Sequence, residues 1–153
     1  MITLLHVSDL HFGPPFVEKV GEALQAFAAR LTPTAIIASG DFTQRAKPEQ
    51  FKAARAFLDR FPKVPIVVTP GNHDTPLYRF AERVLDPFGH YREYINPELD
   101  TVTHIPGATI VAINSMAPLR GLVNGRVHRW QIEFVREALA GRPEDELRIV
   151  VAH

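Results

Sequence analysis

Short, nearly continuous apolar runs alternate along this chain with longer runs in which apolar residues recur every three or four positions. Residues 2–7, 34–39 and 64–69 are of the first kind and have strand length. Residues 16–31 carry Val20, Leu24, Phe27, Ala28 and Leu31 at helical spacing. Residues 48–61 place Phe51, Ala54, Leu58 and Phe61 on one side of a second helix. Pro48 suits its first position, where a missing N–H costs little. Pro65 falls near the start of its strand, where proline is tolerated. This β-α-β-α-β order predicts parallel strands joined by helical crossovers. Further on, residues 77–85 predict a short helix, and 102–105 with 109–114 a hairpin around Pro106 and Gly107. Residues 129–139 predict a helix with Ile132, Val135, Ala138 and Leu139 as its buried stripe. Residues 147–152 read as a last apolar strand.

Composition narrows the picture without changing it. A length of 153 residues suits one domain with a real core. The 13 prolines, among them Pro33, Pro48, Pro62 and Pro70, fall between the patterned segments and punctuate a folded chain. Lys plus Arg and Asp plus Glu both total 17, so the overall charge points to neither nucleic acid nor a membrane surface. Cysteine is absent, which excludes disulfides and thiolate metal sites. No apolar run approaches the ~20 residues of a membrane span, and the first residues lack the basic stretch of a secretory signal. The expected location is the cytoplasm.

Candidate chemistry lies at the strand ends. The first apolar run leads into Ser8, Asp9, Leu10 and His11, the second into Gly40 and Asp41, and the third into Gly71, Asn72, His73 and Asp74; the last ends at His153. In open α/β sheets ligands bind just beyond the carboxyl ends of the strands, so parallel pairing would gather these clusters. Asp offers a hard anionic oxygen, His a borderline nitrogen and Asn a neutral carbonyl, a set suited to Mn²⁺, Fe or Zn²⁺. Asp41, on the central cluster, is the candidate to bridge two cations, one on each carboxylate oxygen. Two such cations ~3.5–4 Å apart clamp a phosphoryl group and acidify a shared water. Asp9 with His11 is a weak signal alone, and Gly40 with Asp41 weaker still, because Gly-Asp is a common turn pair. Gly-Asn-His-Asp is more specific, arising by chance in roughly one chain of this size in a few thousand. All three in order, each after an apolar run, make a purely structural reading a poor fit. His6, His90, His104 and His128 carry no such pattern and are expected in packing or surface roles. Arg45 and Arg79 follow two of the clusters; solvated surface roles are expected over phosphate contact.

Asp9-Leu10-His11, Gly40-Asp41 and Gly71-Asn72-His73-Asp74 resemble the first three motifs of the calcineurin-like metallophosphoesterases, in order and across almost the whole chain. Residues 40–46 are similar to bacterial members of the class III cyclic-nucleotide phosphodiesterase group. The resemblance implies an α/β fold, a four-layer α/β/β/α sandwich. It implies a hydrolase that cleaves a phosphodiester or phosphomonoester with a hydroxide bridging two divalent metals. Asp9 and His11 would bind the first metal, Asp41 both, and Asn72 and His153 the second. His73 would face the phosphate and protonate the leaving oxygen, with Asp74 orienting it by a hydrogen bond. The substrate would be a small phosphoester, with a cyclic nucleotide as first choice.

The family pattern continues with a Gly-His-x-His motif that gives each metal one more His, and this sequence has none. Residues 1–153 are therefore expected to be one incomplete metallophosphoesterase domain, lacking carboxy-terminal parts of the second sheet. Such a piece should bind metal weakly and turn over little. Two other readings compete: a non-catalytic binding or scaffold module of the same fold, and a one-metal structural site. Every expected residue up to His153 is present, which favours the enzyme.

Overall fold

In a computed structural model, described for residues 1–120 and 124–153, the chain forms two three-stranded sheets with helices outside them. The first sheet holds β1 (Leu4–Ser8), β2 (Ala35–Ser39) and β3 (Ile66–Thr69) in that order, all parallel. Helices α1 (Glu18–Leu31) and α2 (Pro48–Leu58) make the crossovers. A 3-10 turn, Asn72–Asp74, follows β3, then two six-residue helices, α3 (Phe80–Leu85) and α4 (Gly89–Tyr94). The second sheet holds β4 (Thr101–Ile105), β5 (Ala108–Ala112) and β6 (Leu147–Val151), with α5 (Arg129–Leu139) before β6. β4 and β5 form the expected hairpin, while β5 and β6 run parallel.

Alternation along β2 shows how the layers are held. Ile36 and Ala38 face one core, with Phe51, Ala54, Phe57 and Leu58 of α2 and Tyr91 of α4. Ala35 and Ile37 face the other, against Ile105, Ala108, Ile110 and Ala112 of the second sheet. Covered on both faces, β2 reads as a continuous apolar run because it has no solvent face to mark with polar residues. α5 packs against β5 and completes the order helix, sheet, sheet, helix. Among the described residues, no helix is long and apolar enough to cross a membrane.

Two helices keep most of the face their apolar spacing suggests, with Leu24, Ala28 and Leu31 on α1 and Val135, Ala138 and Leu139 on α5 buried or half-buried, and depart from it at single positions. On α1, Gly21 and Ala28 are buried, while Val20 is 65% exposed and Phe27 also faces solvent. A Cβ at Gly21 would press on the rings of Phe16 and Phe57, so the smallest residues set the contact line. On α5 the one fully buried residue is Gln131, and Ile132 is exposed. Trp130, the second residue of that helix, is also exposed. α4 had no apolar signature in the sequence and is anchored by Tyr91 alone among its buried residues.

Candidate metal centre

Hydrogen bonds between the loops continue the parallel pairing of β1 and β2 past the strand ends. Asp9 N–H donates to Gly40 O at 3.2 Å, His11 N–H to Asp41 O at 2.9 Å and Phe12 N–H to Phe42 O at 2.8 Å. Side chains from the two loops therefore project at the same level, beyond the carboxyl edge of the sheet. Asp9, His11 and Asp41 hold backbone angles φ of 57°, 48° and 53°. These are left-handed conformations that cost a non-glycine residue about 1–3 kcal/mol each and cluster at functional sites. Gly40, also left-handed, leaves room for a ring: a Cβ there would collide with His153. A Cβ on Gly71 would strike the Asp41 carboxylate.

Five of the seven expected site residues meet in one cluster. His11 Nε2 lies 3.6 Å from Asp9 Oδ1 and 3.7 Å from Asp41 Oδ2, and His153 Nε2 lies 3.5 Å from the same Asp41 oxygen. Two trios, His11–Asp41–His73 and Asp9–Asp41–His153, each offer donor atoms within 4.8 Å of one another, and Asp41 belongs to both. The two Asp41 oxygens are not equivalent. Oδ1 accepts the His73 N–H at 2.8 Å, and Oδ2 alone faces His11 and His153. The His11 Nδ1 is buried without a hydrogen-bond partner among the described residues, a state that a cation or water relieves. Asn72 opens the 3-10 turn and lines a recess with Thr75, Arg83 and Met116.

Electrostatics mark the same group. Burial pushes the Asp41 carboxyl up, but the His153 ring, the His73 N–H and the nearby imidazoles outweigh it and hold it below the usual carboxylate range. The bond to Asp41 draws His153 up to about 9, against burial, with help from Ser39 O and the charge of Asp9. Groups that share a proton this tightly can share a divalent cation, since both need an electropositive centre between carboxylate and imidazole.

Asp74 departs from the role expected of it beside His73. The His73 Nδ1 meets Gln44 O at 3.0 Å, and its ring stands edge-on to His11 with centroids 4.7 Å apart. Asp74 does not orient that ring. Its carboxylate accepts from Gly71 N–H at 3.0 Å, Phe42 N–H at 3.2 Å and Thr43 N–H at 2.9 Å, and lies 3.0 Å from Thr43 Oγ1. A carboxylate buried this deeply goes where unpaired N–H groups are, and three of them line the space between the loops. Burial pushes its carboxyl up to about 6, with those N–H groups opposing and Asp41 adding to the rise. Asp74 thus clamps the second and third loops together. Arg79 donates to the carbonyls of Arg45 and Ala46 and pairs with Glu82, so it braces a loop rather than presenting itself to a phosphate.

Three supporting groups had no signal in the sequence. Ser39 O takes the His153 Nδ1 at 2.9 Å, Gln44 O takes His73, and Ser115 Oγ donates to the main-chain oxygen of His153. Two of the three act through backbone atoms, which no residue type advertises.

Comparison with known proteins agrees with this architecture. A model of the calcineurin-like phosphoesterase family matches residues 2–153. The glycerophosphodiester phosphodiesterase GpdQ of Enterobacter lignolyticus (strain SCF1) is 33% identical over 81 residues, covering 46% of this chain and 29% of that protein. Among solved structures, a purple acid phosphatase from yellow lupin seeds superposes with a TM-score of 0.71 at 13% identity, over 99% of this chain and 30% of that one. A dimetal phosphatase from Danio rerio gives 0.66 at 10% identity, over 99% and 69%. At such identities these two speak to the fold alone. The chain spans under a third of both GpdQ and the lupin phosphatase. With its motif residues gathered at one sheet edge and the family model matched from residue 2 to residue 153, the chain belongs to the calcineurin-like phosphoesterases.

Proposed function

We propose that this chain carries the metal centre of a two-metal phosphoesterase acting on a small phosphodiester. The observation that supports it most is Asp41, common to both donor trios, with its Oδ2 faced by His11 and His153. Asp9 and His11 would hold one cation and Asn72 and His153 the other, with Asp41 available to both. The donors are oxygen and imidazole, which suits Mn²⁺, Fe or Zn²⁺. When bound, the two cations supply positive charge for the phosphoryl oxygens and an acidified water as nucleophile.

The chain's own residues do the rest. With Nδ1 tied to Gln44 O, His73 presents its Nε2 to the cluster. The phosphorus–oxygen bond to the leaving alcohol breaks as that oxygen takes the proton from His73 Nε2, a general-acid step worth about 10²–10⁴ in rate. The His73 backbone N–H meanwhile fixes the Asp41 carboxylate, so the acid and the shared ligand move as one unit. The likeness to a glycerophosphodiester phosphodiesterase favours diesters over monoesters, and cyclic nucleotides belong with the substrates to be compared.

The test is release of nitrophenolate from bis(4-nitrophenyl) phosphate by Mn²⁺-loaded protein, together with a count of bound metal. Two equivalents of metal, metal-dependent release, and a fall of about 100-fold in His73→Ala are expected. One equivalent with no release would favour a structural metal site. Two equivalents with release unchanged by His73→Ala would remove the general acid from the scheme.

A further inference from the structure

Resting on the metal-centre reading, we infer that Gln131 is a positioning residue that sets His153 for ligation from the opposite side of the second sheet. Gln131 is 1% exposed on a helix whose neighbouring apolar residue Ile132 faces solvent. A buried amide turned inward in place of an available apolar side chain needs its hydrogen bonds satisfied, and here both ends are. Its Nε2 donates to Asp100 Oδ1 at 2.7 Å and to Asn114 O at 2.8 Å, and its Oε1 accepts the His128 N–H at 2.9 Å.

These bonds converge on one short segment. Asp100 Oδ1 also accepts the Asn114 N–H at 2.9 Å, so the Gln131 amide and one carboxylate hold Asn114 by both its backbone groups. Asn114 Oδ1 then accepts the Met116 N–H at 2.9 Å. Between them stands Ser115, whose hydroxyl donates to the main-chain oxygen of His153. His153 is held at its ring as well, by Ser39 O. The path from Gln131 to the ligand is thus three residues long, through Asn114 and Ser115, with a hydrogen bond at every non-covalent link. Met116 lines the recess that contains Asn72, so the same segment reaches both ligands assigned to the second cation.

Loss of the amide leaves Asp100 Oδ1 with the Asn114 N–H alone, takes the donor from Asn114 O and the acceptor from the His128 N–H, and loosens the segment that carries Ser115. Groups that orient a ligand from behind change metal affinity by about 10–100-fold. Gln131→Leu keeps the volume and removes the donors.

Two readouts separate positioning from mere stability. In metal-free protein, imidazole ¹⁵N–¹H correlation spectra should show the His153 signals shifted and those of His6, His90 and His104 unchanged. In Mn²⁺ titrations one of the two sites should lose at least about 10-fold in affinity, with the other unaffected. Ser115→Ala cuts only the last link and should move the same His153 signals, which keeps the test alive should Gln131→Leu not fold. Folded variants with unchanged His153 signals would overturn the proposal, as would equal changes at every histidine. If wild-type protein binds no metal, the metal-centre reading fails, while the spectra still decide whether Gln131 positions His153.

Discussion

The first sheet brings Asp9, His11, Asp41 and His73 to the site on loops that hydrogen-bond to one another at the strand ends. The second sheet brings only His153 among these residues, which is held at its main-chain oxygen by Ser115, 38 residues away, and at its ring by Ser39 of the first sheet, 114 residues away. On the first side the chemistry and its support are written together: Gly40 makes room beside Asp41, and Asp74 clamps the loop that precedes it. On the second side the ligand is local and its support is distant. The two halves should therefore fail differently. Damage to the first removes the site outright, and damage to the second loosens one corner of it.

Asp41→Ala gives the sharpest contrast and the largest effect. It takes the shared oxygen from both trios, and isothermal titration should show Mn²⁺ affinity falling by more than about 100-fold, beyond what an orienting group costs. Retention of one tight site would show that Asp41 is not shared. Phe51→Ala probes the core that carries the first loops. Urea unfolding should register a loss of about 3–5 kcal/mol, since this fully buried ring packs against α4 and the first sheet. Asp74→Asn should cost on the order of 3 kcal/mol, because an amide NH₂ would then face backbone N–H groups that now find a carboxylate oxygen. If that variant kept its stability and lost only turnover, the clamp would be the wrong account of Asp74.

On the second half, Ile132→Ser should change stability by no more than about 0.5 kcal/mol despite its apolar side chain, because Ile132 lies in solvent while its neighbour Gln131 lies inside. A loss of several kcal/mol would mean that α5 sits one residue further round. Another effect concerns pH. His153 is raised from 6.5 to about 9 in the folded, metal-free chain. Its contribution to stability is therefore complete below pH 6.5 and lost as pH rises through 9. Melting temperatures in EDTA should decline across that window, and His153→Gln should flatten the decline.

How much was legible beforehand follows the same division. The three parallel strands and their ligand-bearing ends could be read because β2 is covered on both faces and because Gly-Asn-His-Asp is too specific to ignore. The closest contacts of α1 and α5 could not. Periodicity turned Leu24, Ala28 and Leu31 and then Val135, Ala138 and Leu139 inward correctly, yet it gave no sign that Gly21 on α1 and the Gln131 amide on α5 would be buried too. The role expected of Asp74 failed for a related reason. Adjacency to His73 in sequence suggested a side-chain bond, whereas the 3-10 turn directs the carboxylate to backbone N–H groups of Phe42 and Thr43, more than thirty residues away. Tertiary hydrogen bonds to main-chain atoms leave no trace in residue type.

The left-handed backbone at Asp9, His11 and Asp41 carries a consequence for how such a chain tolerates change. Each of these positions would be more comfortable as glycine, which adopts that conformation without steric cost. A library screened for folding alone would therefore drift toward glycine at these three positions and end with a sturdier molecule that has lost these carboxylate and imidazole groups. The side chains gathered in this cluster are among those that cost the fold stability, and only selection on what they do keeps them in place.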